Sequence, residues 1–149
     1  MSLCIDLSGH VVLITGASQG IGAQMARTFH AAGATVLLNH PGTTETAAAA
    51  SRLETDLNRA RPASAAAIAA DVSDPAQVMQ MMQEAKNRFG GLHALINNAG
   101  ILRDRTIAKL SIDDWRRVID VNLSGVFHCS KFGLEIMHEG GSIVGLASI

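Results

Sequence analysis

Five short apolar runs separated by stretches of helical spacing constrain this chain more than any other feature. The runs are HVVLIT (His10–Thr15), ATVLLN (Ala34–Asn39), AAIAA (Ala66–Ala70), LHALIN (Leu92–Asn97) and SIVGLA (Ser142–Ala147). None alternates polar with apolar residues, so each reads as a strand covered on both faces. Between them, Ile21–Ala32 carries Ile21, Met25, Ala26 and Phe29 at helical spacing, and Thr43–Arg59 carries Leu53 and Leu57 four apart. Ser73-Asp74-Pro75 opens a helix that runs to Phe89 and stops at Gly90-Gly91. A long helical stretch is expected from Ile112 to His138, with Trp115, Val118, Ile119, Asn122, Val126 and Phe127 along one face and Gly140-Gly141 as its stop. Strand–helix alternation with right-handed crossovers predicts an α/β, Rossmann-type doubly wound parallel sheet, five strands in the order 3-2-1-4-5.

At 149 residues the chain is long enough for a single domain, 1–149, that buries about 70% of its unfolded surface. The net charge is −1 with scattered basic residues, which argues against a nucleic-acid partner. Cys4 and Cys129 fit no metal spacing and no CxxC pattern, so no metal site is expected. No apolar run approaches the length of a membrane span. The N-terminus lacks a basic start followed by a long apolar stretch. A cytoplasmic protein is the expectation.

The turn after the first run reads TGASQGIG, Thr15 to Gly22. Gly16 permits a tight exit from the strand, Gly20 lets backbone N–H groups approach a ligand, and Gly22 lets the helix pack closely on the sheet. A helix N-terminus placed there offers free N–H donors and a positive dipole end to a pyrophosphate. The spacing is GxxxGxG, not the general GxGxxG. A glycine-rich strand-to-helix turn without a ligand is the alternative.

Together with four later motifs, this turn resembles the short-chain dehydrogenase/reductase family. ADV (Ala70–Val72) is similar to the family's adenine-contacting segment. NNAG (Asn97–Gly100) is similar to its central-strand motif, VNL (Val121–Leu123) to the helix motif with its catalytic asparagine, and IVGLAS (Ile143–Ser148) to the strand with its catalytic serine. The resemblance runs over essentially the whole chain and implies cofactor contacts at Gly16, Ser18, Gln19, Gly20, Ile21, Gly22, Asp71, Val72, Asn98, Ala99 and Gly100.

A carboxylate about 20 residues after the glycines would hold a ribose 2′-OH and favour NAD. The segment at the end of the second run reads Leu38-Asn39-His40-Pro41-Gly42, with no acid. Asn39 and His40 can donate to phosphate oxygens, so NADP(H) is expected, with NAD(H) as the alternative. Gln19 stands where NADP-using relatives often carry Arg or Lys.

The family's reaction is reversible hydride transfer between a nicotinamide and a carbonyl or alcohol carbon. The resemblance gives Ser148 the role of donor to the substrate oxygen. It gives Asn122 the role of holding a water that links a lysine to solvent. A serine at a strand end and an asparagine in a helix also have purely structural readings. The family's proton donor is the tyrosine of a Tyr-x-x-x-Lys motif beyond the serine, and this chain contains no tyrosine. The expectation is a chain that ends before that motif, with the C-terminal part of the fold missing, inactive alone and with a bare fifth strand at the sheet edge. The segments Ile101–Asp104 and WRRVIDVNLSGVF look most like 3-oxoacyl-acyl-carrier-protein and acetoacetyl-CoA reductases. A small or carrier-bound carbonyl substrate is therefore expected, with a homo-oligomer at full length. The alternatives are a dinucleotide-binding module without catalysis and an interaction protein that pairs through the Trp115–Met137 helix.

Overall fold

The computed structural model describes residues 5–147. Its elements are β1 (Val11–Ile14), α1 (Gly20–Ala31), β2 (Thr35–His40), α2 (Thr44–Ala60), β3 (Ala65–Ala69), α3 (Pro75–Phe89), β4 (Leu92–Asn97), α4 (Ile112–Ile119), a π-helical turn (Asp120–Ser124), α5 (Gly125–Leu134) and β5 (Met137–Gly145). The five strands form one parallel sheet in the order β3-β2-β1-β4-β5. This is the doubly wound topology the alternation predicts.

Side chains of successive strand residues point to opposite faces, and two cores result. Val11, Leu13, Leu37 and Leu95 meet α3 and α5 residues such as Met81, Met82 and Cys129 on one face. Val12, Ile14, Val36, Leu38 and Ile96 meet α1 and α2 through Ala26, Leu53 and Leu57 on the other. Cys129 is fully buried, and burial pushes its thiol pKa up to about 12. It is a small apolar core residue, not a reactive one.

The helix ends follow local chemistry. The Asp74 carboxylate accepts from the Ala76 and Gln77 N–H groups at the start of α3, and Pro75 fills its first position. Gly90 ends α3 in the left-handed region at φ +84°. Thr43 caps α2 by accepting from the Thr46 N–H, and Ser111 caps α4 by accepting from that of Asp114.

The last third differs from the expectation. The stretch from Ile112 does not run unbroken to His138: the π turn interrupts it, and helix ends at Leu134. The buried stripe is Val121, Gly125, Cys129 and Gly133, four residues apart, while Trp115, Leu123 and Phe127 are exposed. Glycines allow this close approach. A Cβ at 125 would lie 2.7 Å from Val72 Cγ2, and one at 133 would lie 3.0 Å from Leu95 Cδ2. Gly140-Gly141 does not stop a helix, because β5 begins at Met137 and contains both glycines. From Leu92↔Met137 to Ala94↔Ser142 the ladder advances two residues on β4 and five on β5, which makes a bulge. Gly140 adopts φ +79° within it, and the Met137 side chain packs over Gly141, where no Cβ would fit. Among the described residues β5 is the outermost strand next to β4, with Ile143 and Val144 exposed. Its N-terminal end brings His138 against His93, with ring centroids 4.3 Å apart, and His10 follows at 4.8 Å from His93.

Candidate functional site

A cleft of about 480 Å³ lies over the carboxyl ends of β1 to β4, in the size range of small-molecule sites. That is where a doubly wound sheet binds ligands. The turn after β1 forms its floor. Thr15 holds this turn against the end of β4. Its hydroxyl accepts from the N–H groups of Asn98 and Ala99, both at 2.9 Å. The Asn98 amide donates back to the carbonyls of Thr15 (2.9 Å) and Gly16 (3.2 Å).

The three glycines of the turn have distinct reasons. A Cβ at 16 would lie 2.9 Å from Ala99 Cα. A Cβ at 22 would run into the Gly16 carbonyl oxygen and sit 2.6 Å from Asn98 Nδ2. Gly20 has φ +57° with open space above it. The start of α1 differs from those of α2, α3 and α4, because Gln19 makes no side-chain cap there. Its first N–H donors lack a protein cap and carry the positive end of the helix dipole. An open cradle over a glycine, beside an uncapped helix end, fits a pyrophosphate.

Eleven of the expected cofactor residues line the cleft: Gly16, Ser18, Gln19, Ile21, Gly22, Asn39, Asp71, Val72, Asn98, Ala99 and Gly100. Gly20 and His40 are not among its walls. The structure puts Asn39 and His40 to uses other than phosphate donation. The Asn39 side chain is buried: its Oδ1 accepts from the Gly16 N–H (3.3 Å), and its Nδ2 donates to the Ala70 carbonyl (2.9 Å). It ties the glycine turn to the end of β3. The His40 ring is also buried, and its Nδ1 accepts from the Gly42 N–H at 3.2 Å. Burial holds its pKa below the usual imidazole value, so it offers no cation. Pro41, Thr43 and Thr46 line that wall beside Asn39. In the sequence Thr43 reads only as the start of a helix.

Asp71 and Arg117 are the one anion and the one cation among the described lining residues, and they are paired. Burial by itself would raise the Asp71 pKa, but hydrogen bonds from Ser73 and Arg117 outweigh it and hold the carboxyl below its ordinary value. Nothing in the sequence singled out Arg117. Asn122 sits in the π turn beside Gly100, and its amide is engaged at both ends. Oδ1 accepts from the Ile101 N–H (2.8 Å), and Nδ2 donates to the Ile101 carbonyl (2.9 Å). It therefore fixes the loop after β4. A π turn at a functional position is a recurrent arrangement. His128 lies on α5 with Nδ1 3.0 Å from the Val72 carbonyl, and His138 lies on β5 at the far end of the sheet. Ser148 lies outside the described residues. No described helix is long and apolar enough to cross a membrane, and no described cluster of His, Cys, Asp or Glu could hold a metal ion.

Comparison with known proteins gives a consistent result. The family model described as short chain dehydrogenase matches residues 10–149. A 3-oxoacyl-[acyl-carrier-protein] reductase of Synechocystis sp. is 36% identical over 145 residues, which are 96% of this chain and 57% of that protein. A meso-2,3-butanediol dehydrogenase of Serratia marcescens is 39% identical over 140 residues, 93% of this chain and 53% of that protein. Among solved structures, a short-chain dehydrogenase from Burkholderia cenocepacia in complex with NADP superposes with TM-score 0.87 at 35% identity, over 95% of this chain and 56% of that one. A blue fluorescent protein from a metagenomic library, in complex with NADPH, gives TM-score 0.89 at 33% identity, over 96% of this chain and 57% of that one. The chain thus spans little more than half the length of the proteins it matches.

Proposed function

This chain belongs to the short-chain dehydrogenase family, and on that premise we propose that it is the cofactor-binding part of an NADP(H)-dependent oxidoreductase acting on a carbonyl or alcohol. The observation that carries the reading is the start of α1, which has no side-chain cap and brings Gln19, Ile21 and Gly22 to the cleft wall. A nicotinamide dinucleotide, when bound, supplies or takes up the hydride. The chain's residues bind and orient. The first N–H groups of α1 receive the pyrophosphate. Asp71 and Val72 flank the adenosine half on the β3 side, and Asn98, Ala99 and Gly100 flank the other half beyond β4.

NADP(H) is favoured because no carboxylate lines the end of β2. Thr43 and Thr46 line that wall beside the positive end of α2, their hydroxyls 2.8 Å apart and that of Thr46 donating to the Thr43 carbonyl. Glu45, in the first turn of α2, is not among the lining residues. The matched reductase and the neighbour bound to NADP support a 3-oxoacyl thioester substrate and this cofactor. Asn122 acts by fixing the Ile101 loop, and Ser148 is assigned the hydrogen bond to the substrate oxygen. In the whole protein we expect a homo-oligomer.

The chain has no tyrosine, which favours cofactor binding without turnover by these residues alone. The test is a fluorescence titration with NADPH and NADH, followed by an acetoacetyl-thioester reduction assay. Binding of NADPH ahead of NADH, with no turnover, is expected. Absence of binding by either at millimolar concentration would overturn the cofactor reading. Turnover would refute the requirement for a tyrosine.

A further inference from the structure

The α4 segment and its π turn are fastened to both sides of the cleft. At one end Asn122 clasps the Ile101 backbone in the loop after β4. One and a half turns earlier, Arg117 reaches the end of β3. Its Nη2 donates to Asp71 Oδ2 and its Nη1 to Ser73 Oγ, each at 2.8 Å. Ser73 in turn donates to Asp71 Oδ1 through its N–H (3.0 Å) and its hydroxyl (2.6 Å). The carboxylate is thus held on both oxygens by groups that leave it no free rotation, and it faces the cleft.

Exposed ion pairs ordinarily contribute little, and Arg59–Asp56 (3.4 Å) and Arg116–Asp113 (3.9 Å) are of that kind, local pairs three residues apart on one helix. The Arg117 contact differs. It spans 46 residues of sequence, joins two elements and divides a planar fork between two acceptors.

Resting on the cofactor reading above, we propose that Arg117 is a positioning residue. It fixes the Asp71 carboxylate as an acceptor toward the adenosine half of the dinucleotide, and so links occupancy of that half to the helix that carries Asn122. Asp71 stands on the adenosine side because the pyrophosphate site at α1 lies over β1, and β3 is reached from it across β2.

The test uses the full chain and two probes, NADPH and adenosine 2′,5′-bisphosphate, with wild type, Arg117→Met, Arg117→Lys, Asp71→Asn and the double variant Asp71→Asn/Arg117→Met. We expect Arg117→Met to weaken both probes about tenfold, with a thermal midpoint that shows the chain still folded. Arg117→Lys, which keeps the charge but offers no fork, should recover part of the affinity. In the Asp71→Asn background, Arg117→Met should change affinity less than twofold. A folded Arg117→Met that binds within twofold of wild type overturns the inference, as does an undiminished effect in the Asp71→Asn background. If Arg117→Met does not fold, Arg117→Lys decides alone: affinity equal to wild type for both probes overturns the inference. Failure of wild type to bind NADPH removes the cofactor reading itself, an outcome distinct from the variant results.

Discussion

Replacing Gly22 by alanine tests whether close packing of α1 on the sheet builds the cleft. The added Cβ would collide with the Gly16 carbonyl oxygen, sit 2.6 Å from Asn98 Nδ2 and lie 3.0 Å from Ala17 Cα. Two of these three neighbours are backbone, so no rotamer change relieves the contact. Overpacking of this kind costs about 1–3 kcal/mol. Displacing Asn98 also removes its hydrogen bonds to the Thr15 and Gly16 carbonyls, at about 1 kcal/mol each. Against this, alanine gains up to about 1 kcal/mol over glycine in a helix interior, and less in a first turn. The balance is a loss of about 2–5 kcal/mol, or roughly 5–15 °C in Tm for a domain of this size. Thermal and urea unfolding of wild type and Gly22→Ala would measure it. Gly20→Ala is the contrast. Nothing lies within 4 Å of its added Cβ, but its φ is +57°, so it should lose only about 1 kcal/mol of stability. Equal or higher stability of Gly22→Ala would refute the packing argument.

Thr46→Asp places a carboxylate on the wall assigned to the 2′-phosphate, and NADPH affinity should fall at least tenfold with NADH affinity nearly unchanged. Equal losses for both cofactors in a binding titration would remove Thr46 from that role. Stability should also fall as pH drops from about 7 toward 5. Burial holds the pKa values of His30, His40 and His93 below the ordinary imidazole value; Arg61 adds to the effect at His30, and His138 and His10 add to it at His93. The unfolded chain therefore takes up protons first, near pH 6.5, and each further step toward acid favours unfolding. Urea midpoints that stay flat or rise over that window would contradict the burial of these rings.

The first 100 residues were legible because their signals are local. Continuous apolar runs, Asp74-Pro75 and Gly90 each act on their own segment, and the structure follows them in strand order and in three helices. The final third was not, because what decides it is tertiary. Gly140-Gly141 looks like a helix stop, yet it forms the bulge of β5 under Met137. The π turn leaves no pattern in composition, and the buried stripe it sets up falls on Gly125 and Gly133, which carry no side chain to reveal a face. Site residues divide in the same way. The glycine turn and NNAG could be found by spacing. The side-chain amide of Asn39, directed inward to Gly16 and Ala70, and the long reach of Arg117 to Asp71 depend on contacts 23 to 46 residues apart.

The uncapped start of α1 also makes ligand concentration a component of folding stability. Any anion seated there binds the native chain and has no equivalent site in the unfolded one. It therefore raises the unfolding free energy by RT ln(1 + [L]/Kd), about 2.7 kcal/mol at a hundredfold excess over Kd. Inorganic phosphate or sulfate in a buffer would draw on the same N–H groups as the dinucleotide. Melting temperatures measured in such buffers would read high, and cofactor affinities measured in them would read low, for one and the same reason.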